Sequence, residues 1–148
     1  MSDMDSERDP FELLLEEHTK LRGRRSELSD KLAQRSGAFR EVVDTIQQLG
    51  DQIDVHFHAE EASDCFPELV NTAPRVSDRV AILLAEHGEL RAEVHQIVQG
   101  AKSRSGTAED WEQLASQVEV FTGKLMAHER AENELVQEVF TDDIGSKD

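Results

Sequence analysis

The sequence predicts an all-α fold, an antiparallel up-down-up-down four-helix bundle, on three observations. Apolar residues recur at spacings of three and four through four long segments. The breaks between these segments are short, so consecutive helices must be antiparallel neighbours. No long run alternates apolar with polar residues, and tyrosine is absent, which argues against a sheet protein. A chain of 148 residues has room for one buried core and is too short for two ordinary domains.

The first helix opens at Asp9-Pro10, an N-cap followed by proline at the first helical position. Its inner stripe is Phe11, Leu14, His18, Leu21, Arg25, Leu28 and Leu32, and Ser36-Gly37 ends it. The second runs from Ala38 to Val70 with Val42, Ile46, Leu49, Ile53, His56 and Glu60 on its stripe; Gly50 bends it without ending it. Asn71-Thr72-Ala73-Pro74 is the next break. The third, Pro74 to Ala101, carries Val80, Leu83, His87, Leu90, Val94 and Ile97. After a polar stretch, Lys102 to Gly106, Thr107 or a near neighbour caps the fourth. Its stripe is Trp111, Leu114, Val118, Phe121, Leu125, His128, Glu132, Leu135 and Val139. On this reading residues 1–8 are a disordered N-terminal tail, 9–140 the bundle, and 141–148 a loosely packed C-terminal tail.

The formal net charge of −16 repels phosphate backbones and anionic membrane surfaces, which excludes nucleic-acid binding through a basic face. No apolar stretch is long enough to span a bilayer, and the N-terminal residues lack the basic start and apolar core of a signal peptide. Cys65 is the only cysteine, so no intrachain disulfide forms, and a reducing cytoplasm is the simplest location. Cys65 itself reads as a small packing residue.

The stripe that should face a bundle core is interrupted by a histidine in each of the four segments, twice with a glutamate four residues later. Buried imidazoles and carboxylates are costly without partners. One such histidine is unremarkable, whereas one per helix needs a shared explanation, and a metal pair supplies it. The expected ligands are His18, His56, Glu60, His87, His128 and Glu132. Counted from the intervening breaks at about 1.5 Å per residue, the first three helices bring their polar positions to one level within a turn. The fourth does not match as well, so either it starts lower or its first turns extend beyond the end of the bundle. Positions i and i+4 are neighbours on a helix, so the pairs 56/60 and 128/132 each offer an imidazole and a carboxylate to one site. With both glutamates bridging, the six side chains supply roughly eight donor atoms of the roughly twelve that two octahedral ions take; an oxo or hydroxo bridge fills two more and leaves about two open. Such a mixed set suits iron or manganese, while closed structural zinc sites use four ligands.

The remaining polar groups near these positions are set aside. His58 lies almost opposite His56 and faces solvent; His95 sits off the stripe. Glu61 points away from Glu60 and can orient a ligand imidazole. Arg91, one turn after His87, either snorkels outward or hydrogen-bonds a site carboxylate.

The chain resembles the hemerythrin-like, or HHE cation-binding, family. The residues that carry the resemblance are Glu17-His18, His56-Phe57-His58-Ala59-Glu60-Glu61, Glu86-His87-Gly88-Glu89-Leu90 and His128-Glu129-Arg130-Ala131-Glu132, in that order and spacing. The resemblance implies a carboxylate-bridged di-iron centre, with the four histidines as terminal ligands and Glu60 and Glu132 bridging; manganese or zinc are the alternatives to iron. It also implies a small diatomic or peroxide ligand, O2 or nitric oxide among them. The oxygen-carrying members have a further histidine where this chain has Arg91, and a bridging aspartate where it has Glu132. Reversible O2 carriage is therefore not the expectation. The leading expectation is a metal-binding protein acting as sensor, store or scavenger; a sensor would work through a separate protein partner. The alternatives are a di-iron oxidoreductase acting on peroxide or superoxide, and a metal-free helical interaction module. No acid–base dyad stands apart from the expected ligands.

Overall fold

Asp9 starts the first helix in the way its sequence requires. Its carboxylate accepts from the Phe11 N–H at 2.9 Å, and Pro10 occupies a position whose own N–H would have no partner in the helix. The structure, a computed structural model, describes residues 9–35 and 37–146; the expected tail over 1–8 lies outside the described residues, as do Ser36 and residues 147–148. Within the described residues all regular structure is helical: α1 (Pro10–Gln34), α2 (Phe39–Ala62), α3 (Cys65–Thr72), a 3-10 turn (Pro74–Val76), α4 (Ser77–Lys102) and α5 (Ala108–Ser146). α5 thus runs past residue 141, where a tail was expected.

Five α-helices stand where four were expected, because the second segment divides. Ser63 ends α2: its N–H reaches the Ala59 and Glu60 carbonyls, its hydroxyl donates to Glu60 O at 2.9 Å and accepts from the Cys65 N–H at 3.2 Å. The signal for this break was Pro67. A proline inside a continuous helix would remove one hydrogen bond and clash with the preceding turn, whereas in the first turn of α3 its missing N–H is harmless. Gly50, by contrast, leaves α2 unbroken, and its lack of a side chain lets α2 approach Val94 of α4, to which an added Cβ would come within 3.3 Å.

Among the long helices, α1 packs on α2 and α5, and α4 also packs on α2 and α5. Side-chain pairs along α1 and α5 are His18–Asn133, Arg25–Glu129 and Arg35–Glu112; along α4 and α5 they are Arg79–Glu138, Glu86–His128 and Glu93–Lys124. The uneven level of the fourth segment is absorbed where α4 meets α5. Arg104 pairs with Gln113, and His87 and His128 lie at nearly equal distances along their helices from that pair. The first turn of α5 therefore extends beyond it. Thr107 and Asp110 cap that turn reciprocally, the Asp110 N–H donating to Thr107 Oγ1 and the Gly106 and Thr107 N–H groups to Asp110 Oδ2.

Every apolar residue placed on the four stripes is buried. The apolar core is nonetheless two clusters. The larger contains Leu21, Leu28, Ile46, Leu49, Ile53, Phe57, Leu90, Val94, Phe121 and Leu125. The smaller joins Phe11 and Leu14 of α1, Cys65, Phe66 and Leu69 of α3, Val80 and Leu83 of α4, and Leu135 and Val139 of α5. The interrupting histidines and glutamates fall between the two along α1, α4 and α5, and at the C-terminal end of α2 next to α3, so a polar layer crosses the molecule with apolar packing on either side.

Candidate metal centre

The structure brings all six singled-out residues into that layer, and none is more than 5% exposed. α1 supplies His18, α2 His56 and Glu60, α4 His87, and α5 His128 and Glu132. Their ligand-type atoms fall into two overlapping groups, His18–His56–Glu60 and Glu60–His87–His128–Glu132, within each of which they lie inside 4.8 Å of one another. The two imidazole pairs stand edge to face, with ring centroids 5.1 Å apart for His18 and His56 and 5.0 Å apart for His87 and His128.

Glu60 belongs to both groups. Its Oε1 contacts His56 Nε2 and lies 3.6 Å from His18 Nε2, while its Oε2 lies 3.2 Å from His87 Nε2. Glu132 Oε1 lies 2.6 Å from His128 Nε2 and 3.9 Å from His18 Nε2. Both carboxylates therefore reach from one group toward the other.

Although several of these contacts are short, none of the four Nε2 atoms and none of the four carboxylate oxygens has a hydrogen-bond partner. A single buried polar atom left unpaired costs about 1–3 kcal/mol. Eight converging on one space are not sustained by hydrogen bonding, whereas cations bound among them would satisfy all eight. The residues fit a cation-binding role on this ground.

The outer ring nitrogens carry the second half of the arrangement. His87 Nδ1 meets Glu61 Oε2 at 2.7 Å, His128 Nδ1 meets Glu86 Oε1 at 2.7 Å, and His18 Nδ1 meets Asn133 Oδ1 at 3.0 Å. Such bonds place the ring N–H on Nδ1 and leave the Nε2 lone pair directed at the common space. His56 Nδ1 has no partner; one turn earlier on α2, Gln52 Oε1 is also buried and unpaired.

The protonation of the cluster follows from burial and neighbours. Burial raises Glu60, but the imidazoles of His18, His56 and His87 outweigh it and hold this carboxyl well below the usual range. Glu132 is pushed well above its ordinary value by burial and then by the charge of Glu60. Burial and the charge of Glu60 thus oppose ionisation of the second carboxyl of the pair. His128 is lowered by burial, against the pull of Glu86, and stays neutral. Burial, then the nearby Glu60 and Glu132, pushes the Cys65 thiol up to about 12, so it packs as a thiol and is no nucleophile.

His58 and His95 are exposed. Glu61 orients His87, as its position on the helix allowed. Arg91 turns outward, one of the two outcomes expected of it, to partners at the surface. It bonds Asp54 at 2.9 Å and Glu61 at 3.3 Å, and meets His58 Nδ1 at 3.0 Å, so it steadies the carboxylate behind His87 and touches neither Glu60 nor Glu132. Phe57 was missed altogether. Its fully buried ring stacks on His87 at 3.9 Å, stands edge-on to His128 and tilts against His56, and the Arg91 guanidinium lies 5.5 Å from its centroid. Glu129, Asn133 and Glu86 were missed as well. Asn133 and Glu86 lie off the stripes but, like Glu61, one residue from a stripe position, so adjacency was the available signal.

The family model described as the hemerythrin HHE cation binding domain matches residues 9–140. No curated protein and no solved structure gives a significant match. The chain belongs to the hemerythrin HHE cation-binding family.

Proposed function

We propose that this member of the family is a non-haem di-iron protein whose helices form an antiparallel up-down-up-down bundle, with α3 inserted after the second long helix. His18 and His56 would hold one ion and His87 and His128 the other, with Glu60 and Glu132 the carboxylates placed to reach both. The observation that carries this reading is the set of eight buried, unpaired nitrogen and oxygen atoms facing one space. Iron pairs supply reversible one-electron changes and open positions for O2, nitric oxide or peroxide. The protein then acts as a sensor, store or scavenger of such a ligand, within the cytoplasm.

The chain's own residues set the terms of that binding. Glu61, Glu86 and Asn133 fix ring orientation and hold the ring N–H on Nδ1, so that Nε2 is turned to the common space. Phe57 closes the side of His87 that it stacks on and excludes water there. Among the described residues no helix is long and apolar enough to cross a membrane.

Metal analysis with a visible spectrum of freshly purified protein tests the proposal. The expected result is about two irons per chain with charge-transfer bands of a bridged pair. Failure to hold metal after anaerobic reconstitution with Fe(II) overturns it. Added peroxide then separates binding from catalysis: bleaching in proportion to peroxide marks a binder, and sustained decomposition marks an oxidoreductase.

A further inference from the structure

One buried ion pair lies beside the six inward residues without belonging to them. Arg25 of α1 is 6% exposed and Glu129 of α5 4%, and a single bond joins them, Nη2 to Oε2 at 3.0 Å. Arg25 follows His18 by seven residues, two turns along the same face of α1, and Glu129 stands between His128 and Glu132 on α5. Leu21 and Leu28 flank Arg25 along α1, and Leu125 precedes Glu129 by one turn. All three belong to the larger apolar cluster, so the pair borders the polar layer on that side. It is poorly suited to holding the fold together. Arg25 Nε and Nη1 and Glu129 Oε1 are buried with no hydrogen-bond partner. A buried pair left unsatisfied in this way is often no more stabilising than apolar side chains of similar volume.

What the pair does supply is a fixed negative charge near the half of the centre that has none behind its rings. His87 and His128 each have a carboxylate on Nδ1, whereas His18 has the neutral Asn133 and His56 Nδ1 has no partner. Burial works against a charge on Glu129; Arg25, then His18 and His56, work in its favour. The charge of Glu129 acts on Glu132 as well. Arg25, lowered by burial, is acted on by Glu129 and Arg22. The carboxylate is therefore the member of the pair whose field meets the two rings, and in a sealed interior that field is weakly screened. We propose that Glu129, anchored by Arg25, is the counter-charge of the ion held by His18 and His56: it touches no ion, strengthens binding in the α1–α2 half and favours the higher oxidation state there. This deepens the two-ion reading above and rests on it. A negative charge attracts Fe(III) more strongly than Fe(II), so it lowers the midpoint potential of the ion it faces.

The test uses the full chain loaded anaerobically with Fe(II), with chelator competition for affinity and a spectroelectrochemical titration for the potential. Arg25→Met/Glu129→Leu replaces the pair by apolar side chains. Its metal-free form is expected to unfold in urea at the wild-type concentration or above, while the more readily exchanged ion is bound roughly ten-fold more weakly. Glu129→Gln keeps the volume and an acceptor for Arg25 but leaves the guanidinium charge uncompensated, and is expected to weaken that ion further than the double variant does. In both variants Fe(III) should lose more affinity than Fe(II), a ten-fold difference raising the midpoint potential by about 59 mV. Wild-type affinity and potential in both variants overturn the proposal and leave a structural pair. A loss confined to the more firmly held ion overturns it too, since the charge would then serve the α4–α5 half. Wild-type protein that holds no iron overturns the two-ion reading and this inference with it, whereas two irons in the wild type with unchanged variants overturn the inference alone.

Discussion

The two halves of the centre are built from the same side chains and held in different ways. His87 and His128 are each backed by a carboxylate at 2.7 Å, from Glu61 and Glu86, and Arg91 in turn braces Glu61. His18 is backed by a neutral amide at 3.0 Å, and the outer nitrogen of His56 by nothing. An anionic partner makes an imidazole a stronger donor and fixes its orientation. The α4–α5 half is thus the stiffer and more electron-rich, and it contains four of the ligand-type residues against three in the other group, with Glu60 common to both. On the proposed two-ion reading, the α4–α5 half would hold its ion the more firmly and the α1–α2 half would exchange its ion more readily.

The largest effect should come from the residue that both halves share. Glu60→Ala is expected to abolish stable binding of both ions, whereas loss of a single histidine should empty or weaken one half first; metal content per chain after gel filtration checks this. If Glu60→Ala retains a full complement, the bridging role is wrong. Next, His56→Ala should lose metal and His58→Ala should keep it, since the first ring points into the polar layer and the second is exposed. Equal losses would show that the two faces of α2 have been confused.

Smaller effects separate the halves by their outer shells. Glu86→Gln and Glu61→Gln should each weaken metal binding by about 10- to 100-fold, the range expected for a partner behind a ligand histidine. Asn133→Ala, removing a neutral partner, should fall at or below the bottom of that range. Competition with a chromophoric chelator measures all three; an Asn133 effect exceeding both glutamates would reverse the ranking of the halves. Loading should also release protons. Burial and then Glu60 raise the pKa of Glu132, which would have to ionise in order to bridge, so apparent affinity is expected to rise with pH and fall as protons compete. An indicator dye in weak buffer would record acidification when metal is added near neutral pH, and no release would mean that Glu132 is already ionised.

The halves also differ in how far the sequence disclosed them. The six inward residues lie on the 3–4 periodic stripes, so the period that identifies a core also identified them. Their partners do not obey that period. Glu61, Glu86 and Asn133 sit one position from a stripe residue and reach a ring on another helix, a relation that depends on how the helices are rotated against each other. Phe57 was hidden in the same way, between His56 and His58 in a segment where the histidines drew attention. Arg25 was placed on the inner stripe, yet its pairing with buried Glu129 needed the register of α1 against α5. The division of the second segment was available in principle from Pro67, which a continuous helix to Val70 could not accommodate in its interior.

The smallest prediction bears on the weakest point of the weaker half. His56 Nδ1 and Gln52 Oε1 are both buried, both unpaired, and one helical turn apart, which is the spacing at which two side chains on a helix meet. With a cation on Nε2, the His56 proton must reside on Nδ1, and Gln52 Oε1, at the i−4 position, is the acceptor that helix spacing offers it. Gln52→Leu should then have effects of opposite sign in the two forms of the protein. Removing a buried acceptor without a partner should stabilise the metal-free form by about 1 kcal/mol. Losing the acceptor that steadies His56 should weaken metal binding in the α1–α2 half, by less than the roughly ten-fold expected at the low end for carboxylate partners. Urea unfolding of the stripped protein and chelator competition on the loaded one measure the two separately. A loss in both would mean that Gln52 packs structurally, and no change in either would leave His56 as a ligand whose outer nitrogen does without a partner.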